Sequence, residues 1–119
     1  MWTYVLAFTK ELSDFVMVRS RKRGGWEMPG GRKEPGETHL QCAMREFQEE
    51  TGFELITDEG LGVDYKNGRV YFGHVGEKIG EPDLDEILEV DFMNDLPDDL
   101  AYPTEEYRPL LELARKRLC

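Results

Sequence analysis

Cysteine, long apolar runs and net positive charge are all scarce in this sequence. Two of its 119 residues are cysteines, Cys42 and Cys119. They lie far apart, so a disulfide scaffold is excluded and free thiols in a reducing compartment are expected. No apolar run approaches the roughly 20 residues that a membrane-spanning helix needs, and residues 1–5 lack the basic start of a secretory signal. We therefore expect a cytoplasmic protein that has no membrane partner.

Acidic side chains outnumber basic ones, 25 to 15, which gives a formal net charge of −10. A nucleic-acid polymer is not expected as a partner, because proteins that bind one carry basic surfaces. Hydrophobic residues make up 39% of the 119 residues, which suits one core of ordinary domain size. We therefore expect a single domain over residues 1–119, as a monomer or a homodimer.

A helix is predicted to follow Thr38. Thr38 and Gln41 form the pattern of a capping box, in which each side chain accepts a hydrogen bond from an amide of the first turn. Gly52 stands where helices commonly end in a left-handed residue. Between them, apolar or small residues recur every three or four positions, as in a helix with one face packed inward. These residues are Leu40, Ala43, Met44, Phe47 and Thr51.

Three glutamates, Glu46, Glu49 and Glu50, share an arc of roughly 100° on this helix, away from the apolar stripe. Like charges three or four residues apart repel by roughly 0.2–0.5 kcal/mol per pair. Such a cluster is stable when water screens it, as on most acidic helix faces, or when a divalent cation binds it. Magnesium and manganese prefer oxygen ligands. The glycine-rich segments 28–31 and 35–37 favour the cation, because they can bring backbone groups close to a ligand.

The rest of the chain is predicted to form strands and a closing helix. Residues rich in β-branched and aromatic side chains predict extended segments at 3–9, 15–19, 26–28, 53–56, 61–65, 69–77 and about 86–92. A polar turn joins the first two as a hairpin, and Asn67-Gly68 predicts a second turn. Pro103 predicts the start of a helix that ends at Leu118. The buried side of that helix would consist of Leu110, Leu111, Leu113, Ala114 and Leu118. Two helices flanking a mixed sheet make an α/β/α sandwich.

The segment 31–53 closely resembles the Nudix box of the Nudix hydrolases. Every fixed residue of that motif is present at its spacing, and the two hydrophobic positions hold Phe47 and Phe53, where the family more often has aliphatic residues. The fixed residues are Gly31, Glu37, Arg45, Glu46, Glu49, Glu50 and Gly52. The resemblance implies a Nudix-type α/β/α sandwich, with a mixed β-sheet between helices. It also implies hydrolysis of a diphosphate linkage in a nucleotide, by attack of water on phosphorus.

The resemblance further implies a divalent cofactor, Mg²⁺ or Mn²⁺. Its ligands would be the Gly30 carbonyl, Glu46, Glu49 and Glu50. Either Glu46 or Glu49 would be the catalytic base that accepts a proton from the attacking water.

The expected site is completed by Arg45, Glu37 and an acidic residue past the box. Arg45 would orient the carboxylates by charge-assisted hydrogen bonds, and Glu37 would hold the preceding loop through the same network. A further acidic ligand often comes from a loop past the box. Glu86 and Asp85 are the candidates for it, and solvated loop acids are the equal alternative.

Substrate contacts are marked less strongly. The basic run Arg19, Arg21, Lys22 and Arg23 could contact phosphate, although a solvated turn is the favoured alternative. Tyr71 lies eighteen residues past the box, where many dinucleoside polyphosphate hydrolases have a tyrosine, but strand packing would also account for it. Trp26 and Asn94 are candidates for recognising a base, with core packing as the alternative.

Three functions are consistent with the sequence. The small size favours a magnesium-dependent nucleoside triphosphate pyrophosphohydrolase, including one that removes oxidised nucleotides. A Nudix enzyme that acts on dinucleoside polyphosphates or nucleotide sugars is the second candidate. The third is a catalytically silent nucleotide-binding domain with a regulatory role. Silent members usually lose glutamates of the box, and none is lost here.

Overall fold

The computed structural model describes residues 1–119, which form eight strands and two α-helices. The helices are α1 (His39–Thr51) and α2 (Thr104–Leu118), and a short 3₁₀ turn covers Glu59–Leu61. The strands are β1 (Trp2–Phe8), β2 (Phe15–Ser20), β3 (Trp26–Glu27), β4 (Gly30–Arg32), β5 (Phe53–Ile56), β6 (Gly62–Tyr65), β7 (Gly68–Lys78) and β8 (Ile87–Met93). Every predicted strand and helix is present, and β4 is an addition.

All eight strands belong to one mixed sheet, with β3, β2, β1, β7 and β5 in that spatial order. The central pair, β1 with β7, is parallel from Trp2↔Gly68 to Phe8↔His74. The other strand pairs are antiparallel; β4 adds to β1, β6 to β7 and β8 to β2. Helix α1 packs on one face of the sheet and α2 on the other. The predicted α/β/α sandwich is therefore confirmed.

Strand β1 contributes to the core on both faces, because successive side chains of a strand point to opposite sides. Val5 and Ala7 belong to the core under α1, whereas Leu6 and Phe8 belong to the core under α2. All four are at most 2% exposed. Burial on both faces explains why residues 5–8 of this strand are all apolar instead of alternating with polar ones.

The predicted hairpin of β1 and β2 exists only at its turn. The two strands pair at Phe8↔Phe15 and then separate. The segment 26–32 fills the gap, since β3 pairs with β2 while β4 pairs with β1. The predicted glycine-rich loop is therefore partly a strand. Glycine is needed at position 30 because a Cβ there would collide with the Thr3 carbonyl oxygen.

The turn between β6 and β7 lies one residue earlier than predicted. Lys66 and Asn67 form it, with Lys66 in a left-handed conformation at φ 52°. Gly68 is already the first residue of β7 and pairs with Tyr65. A Cβ at Gly68 would collide with the Trp2 carbonyl oxygen, so glycine is required here for close strand packing.

The buried face of α1 is rotated from the predicted one. Met44 is 43% exposed, whereas Cys42 is fully buried. At about 100° per residue, Glu50 lies only about 20° around the helix axis from the buried Ala43. Glu50 therefore points towards the sheet, and the prediction that it lies away from the apolar stripe was wrong.

Helix α2 covers the opposite face of the sheet. Tyr107, Leu110, Leu111 and Ala114 are buried, while Leu113 and Leu118 are partly buried against the same core. Neither helix is long and apolar enough to cross a membrane. Both cysteines are free, as expected, with Cys42 buried and Cys119 exposed.

Candidate active site

Local sequence sets both ends of α1. The Thr38 side chain accepts a hydrogen bond from the Gln41 amide at 3.1 Å, and the Gln41 side chain accepts one from the Thr38 amide at 2.9 Å. The predicted capping box is thus confirmed. Gly52 ends the helix at φ 81°, and its amide donates to the Gln48 carbonyl at 2.8 Å. These caps determine where the glutamates of the last turns lie.

Arg45 is at the centre of the predicted catalytic residues. Its guanidinium donates two hydrogen bonds to Glu37, from Nε to Oε2 at 2.6 Å and from Nη2 to Oε1 at 3.0 Å. Its Nη1 donates to Glu46 Oε1 at 2.8 Å and to Glu49 Oε2 at 3.3 Å. One cation therefore binds three carboxylates and sets their positions relative to one another.

Glu37 connects this network to the loop before α1. Its Oε1 also accepts a hydrogen bond from the Glu34 amide at 3.0 Å, and its own carbonyl accepts one from Lys33 Nζ at 2.9 Å. The hydrogen bonds from Arg45, followed by that from the Glu34 amide, lower the pKa of Glu37 to about 2. The carboxylate is therefore charged at neutral pH and available to Arg45.

Glu50 is held against β4. The Gly30 amide donates to Glu50 Oε1 at 2.9 Å. Gly30 faces Tyr4 in a non-hydrogen-bonded position, between the cross-strand bonds made by the amides of Val5 and Lys33. Its amide and carbonyl therefore both point away from β1. Burial raises the pKa of Glu50 to about 8, because one hydrogen bond does not replace the lost water.

Glu46 lies against Gly31. A Cβ at position 31 would collide with the Glu46 carboxylate, so glycine leaves the room that this side chain occupies. The side chain is 13% exposed. Burial raises the pKa of Glu46, although the Arg45 hydrogen bond acts in the opposite direction. A carboxylate with a raised pKa is a stronger base than one in water.

A cleft of about 750 Å³ is lined by Glu46, Glu50 and the glycines Gly30 and Gly31, and clefts of that size bind nucleotide-sized ligands. Its acidic lining consists of Glu34, Glu46, Glu50, Asp85 and Glu86. Its basic lining consists of Arg21, Lys22, Arg23, Arg32 and Lys33. Glu49 does not line the cleft, and its side chain is 53% exposed. Carboxylates and cations therefore share one cavity.

The donor atoms of the cleft suit a hard divalent cation. The carboxylates of Glu46 and Glu50 and the carbonyl of Gly30 are all oxygen ligands. No three acidic, histidine or cysteine side chains converge to hold a metal ion as they are placed. The reason is that Arg45 holds Glu46 and Glu49, while the Gly30 amide holds Glu50. The ligand chemistry fits a metal, which would have to compete with these hydrogen bonds.

Two of the predicted substrate contacts lie outside the cleft in an ion-paired stack. Arg19 is 28% exposed and pairs with Asp99 at 2.7 Å. Its guanidinium lies 5.1 Å from the ring of Trp26, which is 6% exposed. Ion pairing and core packing account for both side chains, so the structure does not bring them to the site.

The other two predicted contacts also lie elsewhere. Tyr71 is fully buried in the core under α1, and its hydroxyl donates to Glu59 at 2.8 Å. Asn94 is exposed directly after the end of β8. Neither lines a cavity next to the acidic residues. Strand packing, the alternative given for Tyr71, therefore accounts for this residue.

The sequence predicted only some of the basic residues that line the cleft. The turn residues Arg21, Lys22 and Arg23 are exposed, yet they line the cleft, so the favoured interpretation as a solvated turn was incomplete. Arg32 and Lys33 were missed altogether. Their only signal in the sequence was their place directly after Gly31, at the end of the strand that carries the glycines.

Comparisons with known proteins agree with this geometry. A family model described as the NUDIX domain matches residues 3–112. The human 8-oxo-dGDP phosphatase NUDT18 is 32% identical over 66 residues, which are 53% of this chain and 20% of that protein. An RNA pyrophosphohydrolase of Erythrobacter litoralis is 51% identical over 35 residues, which are 29% of this chain and 21% of that protein. The matched segments thus span about a fifth of the length of these two relatives.

A solved structure shares the fold across almost the whole chain. It is a NUDIX hydrolase from Nitrosomonas europaea, with a TM-score of 0.74 and 21% identity, and the superposition covers 98% of this chain and 70% of that one. Such identity shows the fold alone. The family match over residues 3–112 shows the family as well as the fold, and it contains every fixed residue of the box. The chain belongs to the Nudix family.

Proposed function

We propose that this protein is a metal-dependent hydrolase that cleaves a diphosphate linkage in a nucleotide. The observation that carries the proposal is the cleft, where acids of α1 and a group of basic side chains line the same cavity. Acids alone would repel a chain of phosphates, and cations alone would bind it without providing metal ligands. A cleft that has both can hold a divalent ion together with the phosphates it activates.

Glu46, Glu49, Glu50 and the Gly30 carbonyl would hold the cation, Mg²⁺ or Mn²⁺. Glu86 is the candidate for a further ligand because it lines the same cleft. A divalent ion bound there would neutralise phosphate charge and lower the pKa of a bound water. Glu50 would lose its proton on binding, since the ligand form is the carboxylate.

Two glutamates are candidates for the base that accepts a proton from the attacking water. Glu46 lines the cleft, and burial raises its pKa. Glu49 lies outside the cleft lining and is half-exposed. Position therefore favours Glu46. Arg45 would keep it in place through the 2.8 Å hydrogen bond, and Glu37 would keep Arg45 in place.

Lys22 and Arg32 are the cations of the cleft that are free to bind phosphate, because neither has an ion pair or a side-chain hydrogen bond, whereas Arg21 Nε donates to the Leu84 carbonyl at 2.8 Å. Arg23, in contrast, is held by Glu27 at 2.6 and 2.7 Å. Lys33 donates to a backbone carbonyl at 2.9 Å. Lys22 and Arg32 would therefore bind the phosphates of the substrate.

The first candidate substrate is a nucleoside triphosphate, including an oxidised one, cleaved to monophosphate and pyrophosphate. The name of the human relative supports an oxidised guanine nucleotide. The name of the Erythrobacter relative points to RNA, which the net charge of −10 disfavours. Dinucleoside polyphosphates and nucleotide sugars are the second candidates, although Tyr71 no longer supports them. A silent regulatory domain is the least supported function, because every glutamate of the box is present.

A product analysis tests the proposal. The protein is incubated with Mg²⁺ or Mn²⁺ and a panel of substrates in heavy-oxygen water. The panel holds nucleoside triphosphates, their oxidised forms, a dinucleoside tetraphosphate, a nucleotide sugar and triphosphorylated RNA. We expect monophosphate and pyrophosphate from a triphosphate in one step, with the label on the phosphorus that was attacked.

Two results would contradict the proposal or its first candidate. A nucleoside diphosphate with orthophosphate as products would contradict the first candidate, because the bond between the β and γ phosphates would be the one cleaved. Full turnover in a Glu46→Gln, Glu49→Gln double variant would show that the box carboxylates take no part. Rapid cleavage of the dinucleoside tetraphosphate, with inert triphosphates, would instead support the second candidate.

A further inference from the structure

The loop that connects β7 to β8, residues 79–86, reaches the cleft with its last two residues, Asp85 and Glu86. The charge of Glu86 acts on the acids of α1. Burial is the main cause that raises the pKa of Glu46 and that of Glu50, and the Glu86 carboxylate acts in the same direction on both. Glu86 therefore lies near these two carboxylates, although it belongs to a different part of the chain.

One side of the 79–86 loop is attached to the end of α1. The amides of Ile79 and Gly80 donate to the Gly52 carbonyl at 2.9 and 3.0 Å. The Asp83 amide donates to the Glu49 carbonyl at 2.8 Å. Carbonyls in the last turn of a helix have no partner within the helix, so the loop satisfies them. The loop is thus joined to the helix that carries the glutamates of the box.

Arg21 attaches the other side of the loop. It directly follows β2, and its Nε donates to the Leu84 carbonyl at 2.8 Å, while its backbone amide donates to the Glu86 carbonyl at 2.9 Å. The Leu84 side chain belongs to neither core, and the residue is 64% exposed. Core packing therefore does not fix the loop at this point, and the Arg21 side chain supplies the contact.

Arg21 differs in this respect from Lys22, the next residue. Both are exposed and both line the cleft. Lys22 is free to bind phosphate, whereas the Arg21 guanidinium is bound to the loop that carries Glu86. A hydrogen bond from a charged donor is roughly twice as strong as one between neutral groups. The bond from Arg21 is therefore suited to holding an exposed loop in one position.

We propose that Arg21 is a positioning residue, which holds the 79–86 loop so that the Glu86 carboxylate reaches the metal ligands of α1. The inference rests on the proposed function, because it takes Glu86 as a ligand of the proposed divalent ion. Arg21 acts through the backbone of Leu84, two residues before Glu86, and contacts neither the ion nor the substrate.

Positioning and electrostatics predict opposite effects of removing the Arg21 side chain. A guanidinium in the cleft repels a divalent ion, so the loss of its charge alone would strengthen metal binding. The loss of a group that holds a ligand in place would weaken metal binding. Arg21→Met removes both the charge and the hydrogen bond to the loop. Lys22→Met is the matched control, because it removes the same charge from the adjacent position and leaves the loop contact intact.

The test measures the Kd of Mn²⁺ without substrate, by electron paramagnetic resonance. Hydrogen exchange of the metal-free proteins reports on the loop amides, and urea unfolding shows that the proteins compared are folded. A triple variant, Glu46→Gln, Glu49→Gln, Glu50→Gln, measures the ions that bind elsewhere on the surface, which are subtracted. The proteins compared are the wild type, Arg21→Met, Arg21→Lys, Lys22→Met, Glu86→Gln, and the double variant Arg21→Met, Glu86→Gln.

We expect Arg21→Met to raise the Kd of Mn²⁺ by roughly threefold or more, as for one lost hydrogen bond. Arg21→Lys should recover part of this loss, because an ammonium group can also donate to a carbonyl. Lys22→Met should leave the Kd unchanged or lower it. In the Glu86→Gln background, Arg21→Met should no longer raise the Kd, since the two residues act as one unit. The loop amides, that of Asp83 included, should exchange faster in Arg21→Met.

Four results would overturn the inference. The first is a Kd that is unchanged or lower in Arg21→Met, and the second is an equal rise with and without the Glu86 carboxylate. The third is a wild-type Kd in Glu86→Gln, which would show that Glu86 is not a ligand. The fourth is unchanged exchange of the loop amides in Arg21→Met. The proposed function is judged separately: if the expected Mn²⁺ pattern is found and no nucleotide is hydrolysed, the inference stands and the hydrolase proposal fails.

Discussion

The two faces of the sheet differ in the size of their cores and in the charged groups that they carry. The core under α2 has 12 buried residues, whereas the core under α1 has seven. The α1 side instead carries Glu46 and Glu50, whose pKa values are raised by burial. Burying an ionisable group opposes folding, while burying an apolar one favours it. The comparison indicates that α2 supplies stability, whereas α1 carries the carboxylates of the proposed active site, with β1 shared between them.

The two helices are also positioned by different means. Helix α1 has a complete capping box and a left-handed glycine at its end. Helix α2 begins after Pro103 with no side-chain cap, so its packing against the sheet holds it in place. A helix that carries catalytic groups gains from local caps, because they set the register of its side chains independently of the core.

The largest effect we expect is on turnover, from a change on the α1 face. Glu49→Gln should abolish hydrolysis, because it removes one of the carboxylates assigned to the metal. The fold should be retained, since the half-exposed ion pair of Glu49 with Arg45 contributes little stability. Initial rates and urea unfolding measure the two effects, with Glu112→Gln on the exposed side of α2 as the control. Residual activity above about a tenth, roughly 1.4 kcal/mol of barrier, would remove Glu49 from the essential residues.

The next effect is on stability, from a change on the α2 face. Leu111→Ala should lower the free energy of unfolding by about 2–5 kcal/mol, as for other buried leucines, because Leu111 is 4% exposed in the larger core. Leu113→Ala is the control on the same helix, where the side chain is only partly buried, and it should lose less. Activity per folded molecule should be unchanged. Equal losses in both variants would contradict the assignment of stability to this face.

A metal titration sharpens the comparison further. Mg²⁺ at a hundredfold excess over its Kd should stabilise the folded protein by about 2.7 kcal/mol and raise its melting temperature. A Glu46→Gln, Glu49→Gln, Glu50→Gln triple variant should show a much smaller shift in differential scanning fluorimetry. If a Glu105→Gln, Glu112→Gln variant on α2 lost the shift instead, the metal would belong to the other face.

A further effect on stability concerns pH in the metal-free protein. The pKa of Glu50 is about 8, above its ordinary value of 4.5, so between these values the folded chain holds a proton that the unfolded chain has released. The stabilisation is complete below pH 4.5 and decreases by at most about 1.4 kcal/mol per pH unit as the pH rises through 8. Glu50→Gln should flatten this decline. Urea unfolding with a chelator, between about pH 5 and 9, measures it, and parallel curves would contradict a buried neutral Glu50.

Predictions from the sequence succeeded where the signal was short in range. The capping box, the glycine end of α1 and the start of α2 depend on residues within four positions of one another. The strand segments were found within one residue at each end, because alternation and β-branched composition are also local. The candidate site was predicted from the box, whose fixed residues lie within one loop and one helix, and its roles stay a prediction.

Predictions failed where a distant segment decided the outcome. Strand β4 exists because Gly30 and Gly31 fit against Tyr4 and Thr3, which no local pattern of the glycines indicates. Met44 is exposed and Cys42 is buried because contacts with the sheet decide which face of α1 is packed. The small cavity on the α2 side of the sheet is lined by residues from position 4 to position 107, so no spacing in the sequence could reveal it.

The sequence by itself determined the helix that carries the glutamates, the residues of the box and the mixed α/β architecture. Hydrogen bonds and rotamers within a few residues suffice for these features. Only the tertiary structure decided that Glu50 is partly buried against β4, that Arg45 binds three carboxylates, and that cations of two separate segments meet in one cleft. Those features depend on contacts between segments that are distant in the sequence. Such contacts decide how far each charged group is removed from water, which shifts its pKa, and which partner lies beside it.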